Sequence, residues 1–283
     1  MPTTLLSHDI DDSIPKGVHD IAIAELVLFS VIHIIQIPMR YMQESRYWHH
    51  NKKPHPARCF FYCWWSMVGL LAQVRIASAA MIVSTSHPSQ AMLIAEINLQ
   101  SVGLSPLLFE VSLVLLRCGQ TGEYGPGKSR YSKLQRFAIH AFRFPVFVAI
   151  VLAVAGGSIE MHTLSEAGSM VLVVTFAFVC GLVVWFVLKS RSILPVRGHH
   201  GILLISLTLP FLCVRIIYFL LLEYGPPRFN PASGDVGVLA GMGLLMEVII
   251  VILLLATRAI IEPMRLTEME DYITPIDIEG SAN

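Results

Sequence analysis

Seven stretches of largely apolar residues, parted by short polar segments, constrain this chain more than any other feature. They run over residues 21–39, 60–83, 92–116, 137–157, 169–188, 202–222 and 236–256. A helix rises about 1.5 Å per residue, so about twenty apolar residues cross a hydrocarbon core roughly 30 Å thick. Between the stretches stand residues that interrupt helices: Pro54 and Pro56, Pro88, Gly125-Pro126-Gly127, Pro195, and Pro226-Pro227. With 54% apolar and 14% charged residues in 283, a soluble fold of this size has no room to bury so much apolar surface. A helix also pairs its own backbone groups, which hydrocarbon requires. The expected class is therefore all-α, a polytopic bundle of seven transmembrane helices in a lipid bilayer.

Basic residues are retained on the cytosolic side of short loops, so their positions set the direction of the spans. The first, third and fifth loops and the tail hold fifteen of the twenty Lys and Arg, among them Arg40, Lys52, Arg117, Lys128, Lys189, Arg258 and Arg265. The opposite side holds Lys16 and Arg228, and Arg75, Arg143 and Arg215 fall inside spans. This separation predicts an N-terminus that is lumenal or extracellular and a C-terminus in the cytosol. Three segments follow: an outer tail over 1–20, the membrane domain over 21–257, and a mostly flexible cytosolic tail over 258–283 that is acidic and poor in large apolar residues near its end. The first twenty residues carry Asp9, Asp11, Asp12 and Asp20 against Lys16, which is not the basic start of a cleaved signal peptide.

A formal net charge of zero argues against nucleic acid as a partner. The five cysteines, Cys59, Cys63, Cys118, Cys180 and Cys213, sit in apolar or cytosolic segments and are expected reduced. His49, His50 and His55 lack a ligand spacing, so neither a metal nor a cofactor is expected.

Ionisable side chains at membrane depth cost at least a few kcal/mol on insertion scales and must face a partner or water. Counted from the ends of their spans, Arg75, Glu96 with Asn98 and Gln100, and Arg215 with Tyr218 fall at similar depth, with Glu25 about one turn below the outer surface and Glu247 near mid-membrane, so that all face one region of the outer half. They form one expected polar pocket. Glu110 and Arg143 form a second, smaller pair nearer the cytosol. A single interhelical salt bridge would explain any one pair, but the outer set exceeds what packing needs. Gly237, Ala240, Gly241 and Gly243 allow close approach to the seventh span, while Pro106 and Pro210 free backbone carbonyls that must be covered or line a cavity. Phosphate loops of the Walker type, aspartate-rich diphosphate motifs in the membrane and serine nucleophile elbows are absent from the sequence.

Taken together, the arginine late in the second span, Gly103-Leu104-Ser105-Pro106-Leu107-Leu108, Leu209-Pro210-Phe211 followed by Val214-Arg215-Ile216-Ile217-Tyr218, and Met246-Glu247 resemble a family of fungal seven-helix membrane proteins. That family implies no chemistry. In size and helix number the chain more loosely resembles the membrane-bound terpene cyclases of meroterpenoid pathways, of the ascofuranone and ascochlorin types. This resemblance implies cyclisation of a lipid-soluble prenylated substrate, begun by a carboxylic acid, in the endoplasmic reticulum rather than the plasma membrane. A neutral carboxyl in a low-dielectric site can protonate an alkene or epoxide, and Glu96 and Glu247 are the candidate acids. Arg75 and Arg215 would hold neighbouring carboxylates or a polar head group. A sensor or receptor is the second expectation, weakened by outer loops without cysteine. A transporter or lipid translocator is the third, with no inverted repeat to support it.

Overall fold

A computed structural model describes residues 16–50, 56–84, 99, 103–119, 131–159, 162–194, 196–229 and 235–261. Helices account for nearly all of them, and no strand occurs among the described residues. The principal helices are α1 (Lys16–His50), α2 (Met67–Ser84), α3 (Leu104–Cys118), α4 (Lys133–Ala141), α5 (Arg143–Ile159), α6 (His162–Ile193), α7 (Val196–Tyr224) and α8 (Met246–Ile261).

Six segments among the described residues are long and apolar enough to cross a membrane: Lys16–His49, Met67–Ser84, Lys133–Leu152, Glu166–Lys189, Val196–Leu222 and Val236–Ile261. They mark the chain as an integral, multi-pass membrane protein. Large apolar side chains point outward from them, among them Ile34, Phe144, Val174 and Leu188. Water would penalise such a surface and lipid does not. The third expected span, 92–116, is described only from residue 103 onward apart from Leu99, so its outer half, with Glu96, Asn98 and Gln100, lies outside the described residues.

Several boundaries differ from the expected ones, each for a local reason. α1 continues eleven residues beyond Met39, because no Gly or Pro interrupts residues 40–50. Its extension is fastened by Glu44, which accepts from Trp48 and from Trp64. The second span begins with a π turn at Phe60–Trp64 and an extended Trp65, and the regular helix starts at Met67. The fourth is split at Phe142 into α4 and α5, with α4 opened by a capping box in which Ser132 and Gln135 each accept from the other's backbone N–H. The last span opens with Val236–Val238 and a π segment, Leu239–Leu245, before α8. Gly241 and Gly243 fall within that wider segment, where a residue without Cβ has little packing to lose.

The core is organised around α3. Twelve of its fifteen residues are buried, so it meets protein on nearly every side. It packs against α2, α4, α5, α7 and α8. α1 lies against α2, α5 against α6, α6 against α7, and α7 against α8. Leu71, Leu107, Leu108, Val111, Ile205, Leu212, Ile250, Val251 and Leu254 are each without exposed surface and form one continuous apolar cluster.

Candidate functional site

On α1 the buried residues Val18, Ala22, Glu25, Phe29, Ile32 and Gln36 recur at three- and four-residue spacing. Glu25 therefore projects into the bundle from the middle of an apolar stripe. Arg75 occupies the equivalent stripe of α2, between Leu71 and Ser78, and is also buried. Arg215 and Tyr218 lie one turn apart on α7, and Glu247 is the second residue of α8, directly after the π segment. All five are at most 7% exposed.

Their side chains form one network. Arg75 donates from Nε to Oε1 of Glu247 at 2.7 Å and from Nη2 to Oε2 at 2.5 Å, a bidentate pair. Arg215 donates from Nη2 to the same Oε2 at 2.9 Å. Arg75 reaches Glu25 more loosely, with Nη1 3.4 Å from Oε1. The guanidinium carbon of Arg215 lies 5.3 Å from the centre of the Tyr218 ring, within cation–π range. Among the described residues, Glu25, Arg75, Arg215 and Glu247 carry two formal charges of each sign. Gly103 makes room for it, whereas Gly243 only borders it at ordinary contact distance. A methyl on Gly103 would sit 2.6 Å from Arg75 Nη2, and one on Gly243 would meet Tyr218 at 3.6 Å and Arg215 at 3.8 Å.

This arrangement limits what Glu247 can do. Three charged N–H groups from two arginines converge on its two oxygens, and a protonated carboxyl would present its own proton to that array. Glu247 is thus placed as an ion-pair anchor between two arginines. The other expected acid, Glu96, lies outside the described residues with Asn98 and Gln100. Glu25 is the carboxylate held least tightly.

A second buried cluster surrounds Glu110, which has no exposed surface. Its Oε2 accepts from the backbone N–H of Met67 at 3.0 Å, at the start of α2. Its Oε1 lies 2.6 Å from Arg258 Nη2, at the end of α8. Arg143, the expected partner, donates to the hydroxyl of Ser112 instead and faces Glu110 only through the longer-range field. Arg40 feels the same carboxylate from α1, and its Nη2 donates to Gln36 at 2.7 Å. Arg40 and Arg258 were expected in a loop and in the tail. Both belong to helices that run longer than the apolar stretches that locate them.

A separate groove of about 470 Å³ opens between the α4–α5 break and α6, lined by Ala141, Phe142, Pro145, Met170, Val171, Val174, Thr175 and Phe178. None of the carboxylates above lines it. Among the described residues, no group of three or more His, Cys, Asp or Glu is placed to hold a metal ion.

Fold and site together define a multi-pass helical membrane protein with two buried ion-pair clusters. The chain belongs to the family described as Domain of unknown function (DUF7702), whose model matches residues 61–262. That stretch includes Arg75, Glu110, Arg143, Arg215, Glu247 and Arg258, and leaves out Glu25 and Arg40 on α1. No curated protein and no solved structure matches the chain.

Proposed function

We propose that this protein is a seven-helix membrane sensor whose two-state element is the ion-pair network of Glu25, Arg75, Arg215 and Glu247. The observation that carries the reading is the double arginine clasp on Glu247, which ties α2 to α7 and α8 in a site without water-exposed charge. A buried ion-pair network is a weak source of stability compared with apolar packing, and its best-attested uses are register and switching. A switch also needs a link that opens before the others. The 3.4 Å contact between Arg75 and Glu25 supplies it, beside bonds of 2.5 and 2.7 Å to Glu247. The stimulus is a lipid-soluble small molecule with an acidic or hydroxyl head, which would take the place of Glu25 on Arg75.

In this reading the bundle has seven spans, the third of them drawn from the apolar stretch 92–116. The orientation is N-terminus out and C-terminus cytosolic, supported by the distribution of Lys and Arg. α2, α3 and α8 each run from the outer cluster to Glu110 or its partners, so a change at one end has rigid paths to the other.

Cys118 offers a native reporter at the far end. It is 1% exposed, and its sulfur and Ile261 both border Gly201 where α3, α7 and α8 meet. In membranes, maleimide labelling of Cys118, read peptide by peptide, is expected to be several-fold faster in Glu247→Gln than in wild type, with the fully buried Cys63 still protected. Equal labelling of Cys118 in the two proteins, with Cys63 protected in both, would overturn the sensor reading.

The loose hold on Glu25 favours one other reading, a terpene cyclase in which Glu25 rather than Glu247 delivers the proton. It calls for cyclised products when the protein is supplied with prenylated quinols or their epoxides, and for their loss in Glu25→Gln. A wild type that cyclises none of them ends it.

A further inference from the structure

Among the described residues, the cluster around Glu110 is unbalanced. Arg40, Arg143 and Arg258 come from α1, α5 and α8 toward one carboxylate on α3, and Glu44, one turn beyond Arg40, is taken up by Trp48 and Trp64. The same place carries buried polar atoms without a protein partner among the described residues: Nε of Arg40, Nε2 of Gln36, Nη2 of Arg143 and Oγ of Ser66. Gln36 is 3% exposed, and its Oε1 is already taken by Arg40, so its amide NH₂ is the end left over. Three of the four atoms can only donate, and the serine hydroxyl can.

Arg40, Gln36, Ser66 and Glu110 converge at the start of α2, while Arg143 approaches through its bond to Ser112, two residues along α3 from Glu110. Gly69 of α2 has the Arg40 guanidinium directly against it, and a methyl there would also lie 3.2 Å from Oε1 of Gln36. Two residues earlier on α2, the Met67 N–H is bonded to Glu110, and Ser66 immediately precedes Met67. Buried donors that lack acceptors are costly, and a cluster with spare positive charge magnifies the cost. An acceptor-rich anion meets both needs at once.

We propose that this end of the bundle binds a phosphate-type anion between Arg40, Arg143 and Arg258, with Gln36 and Ser66 as neutral donors and Glu110 as the resident competitor. Guanidinium groups suit a phosphate because their N–H forks match its oxygens. The phosphate is either free or the head of an anionic phospholipid whose chains stay in the bilayer. The proposal does not rest on the sensor reading, since binding is measured directly and Cys118 labelling plays no part in it.

The test uses the purified full-length protein. One arm places it in phosphatidylcholine nanodiscs with or without phosphatidic acid and reads retained lipid by native mass spectrometry. The other adds inorganic phosphate in detergent against chloride at matched ionic strength and reads the thermal midpoint by tryptophan fluorescence. Retained phosphatidic acid alone assigns a lipid head group, and a phosphate-specific rise in midpoint assigns a free anion. Arg40→Gln and Arg143→Gln are each expected to bind about tenfold more weakly, and Glu110→Gln about tenfold more tightly because the competing charge is gone. No binding beyond chloride in either arm would overturn the proposal. So would wild-type affinity in folded Arg40→Gln and Arg143→Gln, or weaker binding in folded Glu110→Gln.

Discussion

At one end of α8, Glu247 and Glu25 face Arg75 and Arg215, charge for charge. Eleven residues along the same helix, about 16 Å at the usual rise, Arg258 meets Glu110, which also faces Arg40 and Arg143. Ile250, Val251 and Leu254 fill the interval on α8 without exposed surface. Among the described residues the first cluster balances in formal charge, although Nε of Arg215 has no partner there. The second carries more positive than negative charge among the described residues, with several donors that lack acceptors. An ion network that is complete in itself fixes helices until something competes for one member, whereas an incomplete one calls for a further component.

The comparison predicts unequal costs for removing a carboxylate. Glu247→Ala strands two buried arginines and is expected to cost about 3–5 kcal/mol, seen as a large loss of folded protein and a lowered thermal midpoint. Arg75→Leu should cost more than Arg215→Leu in the same assay, because Arg75 makes two bonds to Glu247 and a contact to Glu25. Equal losses would mean that the clasp is not centred on Arg75. Glu110→Ala should cost less than Glu247→Ala, about 1–3 kcal/mol, because Arg258 in the last turn of α8 can carry its head toward water on a long stem. A cost as large as that of Glu247→Ala would erase the distinction between the clusters.

Glycine substitutions sharpen the picture at smaller scale. Gly103→Ala places a methyl against the Arg75 guanidinium and is expected to cost about 1–2 kcal/mol of thermal stability. Gly241→Ala, with nothing within 4 Å of the new carbon, should stay within about 0.5 kcal/mol. Tyr218→Phe keeps the ring beside Arg215 and should change stability by less than about 1 kcal/mol, while Tyr218→Leu removes the ring and should exceed it in the same measurement.

Much of the outer cluster was legible before the structure, for a physical reason. A charged residue inside an apolar stretch has to find a partner, and counting residues from each end of a span puts Arg75 and Arg215 at matching depth with Glu247 somewhat deeper. Depth does not reveal which helices touch or how tightly, so the double arginine contact on Glu247 came only with the structure. The second cluster was harder to see. Hydropathy ends a span where polar residues begin, and it cut α1 before Arg40 and the last helix before Arg258. The helix itself continues wherever no Gly or Pro stops it. One signal was available: Arg258 stands eleven residues, about three turns, after Glu247 and therefore on nearly the same face.

The central claim is that Glu247 is an ionised anchor clasped by two arginines. Infrared spectra of wild type and Glu247→Gln in the same bilayer, taken as a difference, test it most directly. The variant is expected to lose a carboxylate stretching band and no protonated-carboxyl band. Loss of a protonated-carboxyl band instead would show a neutral Glu247 and contradict the clasp, the switch built on it and the assignment of Glu25 as the more loosely held acid.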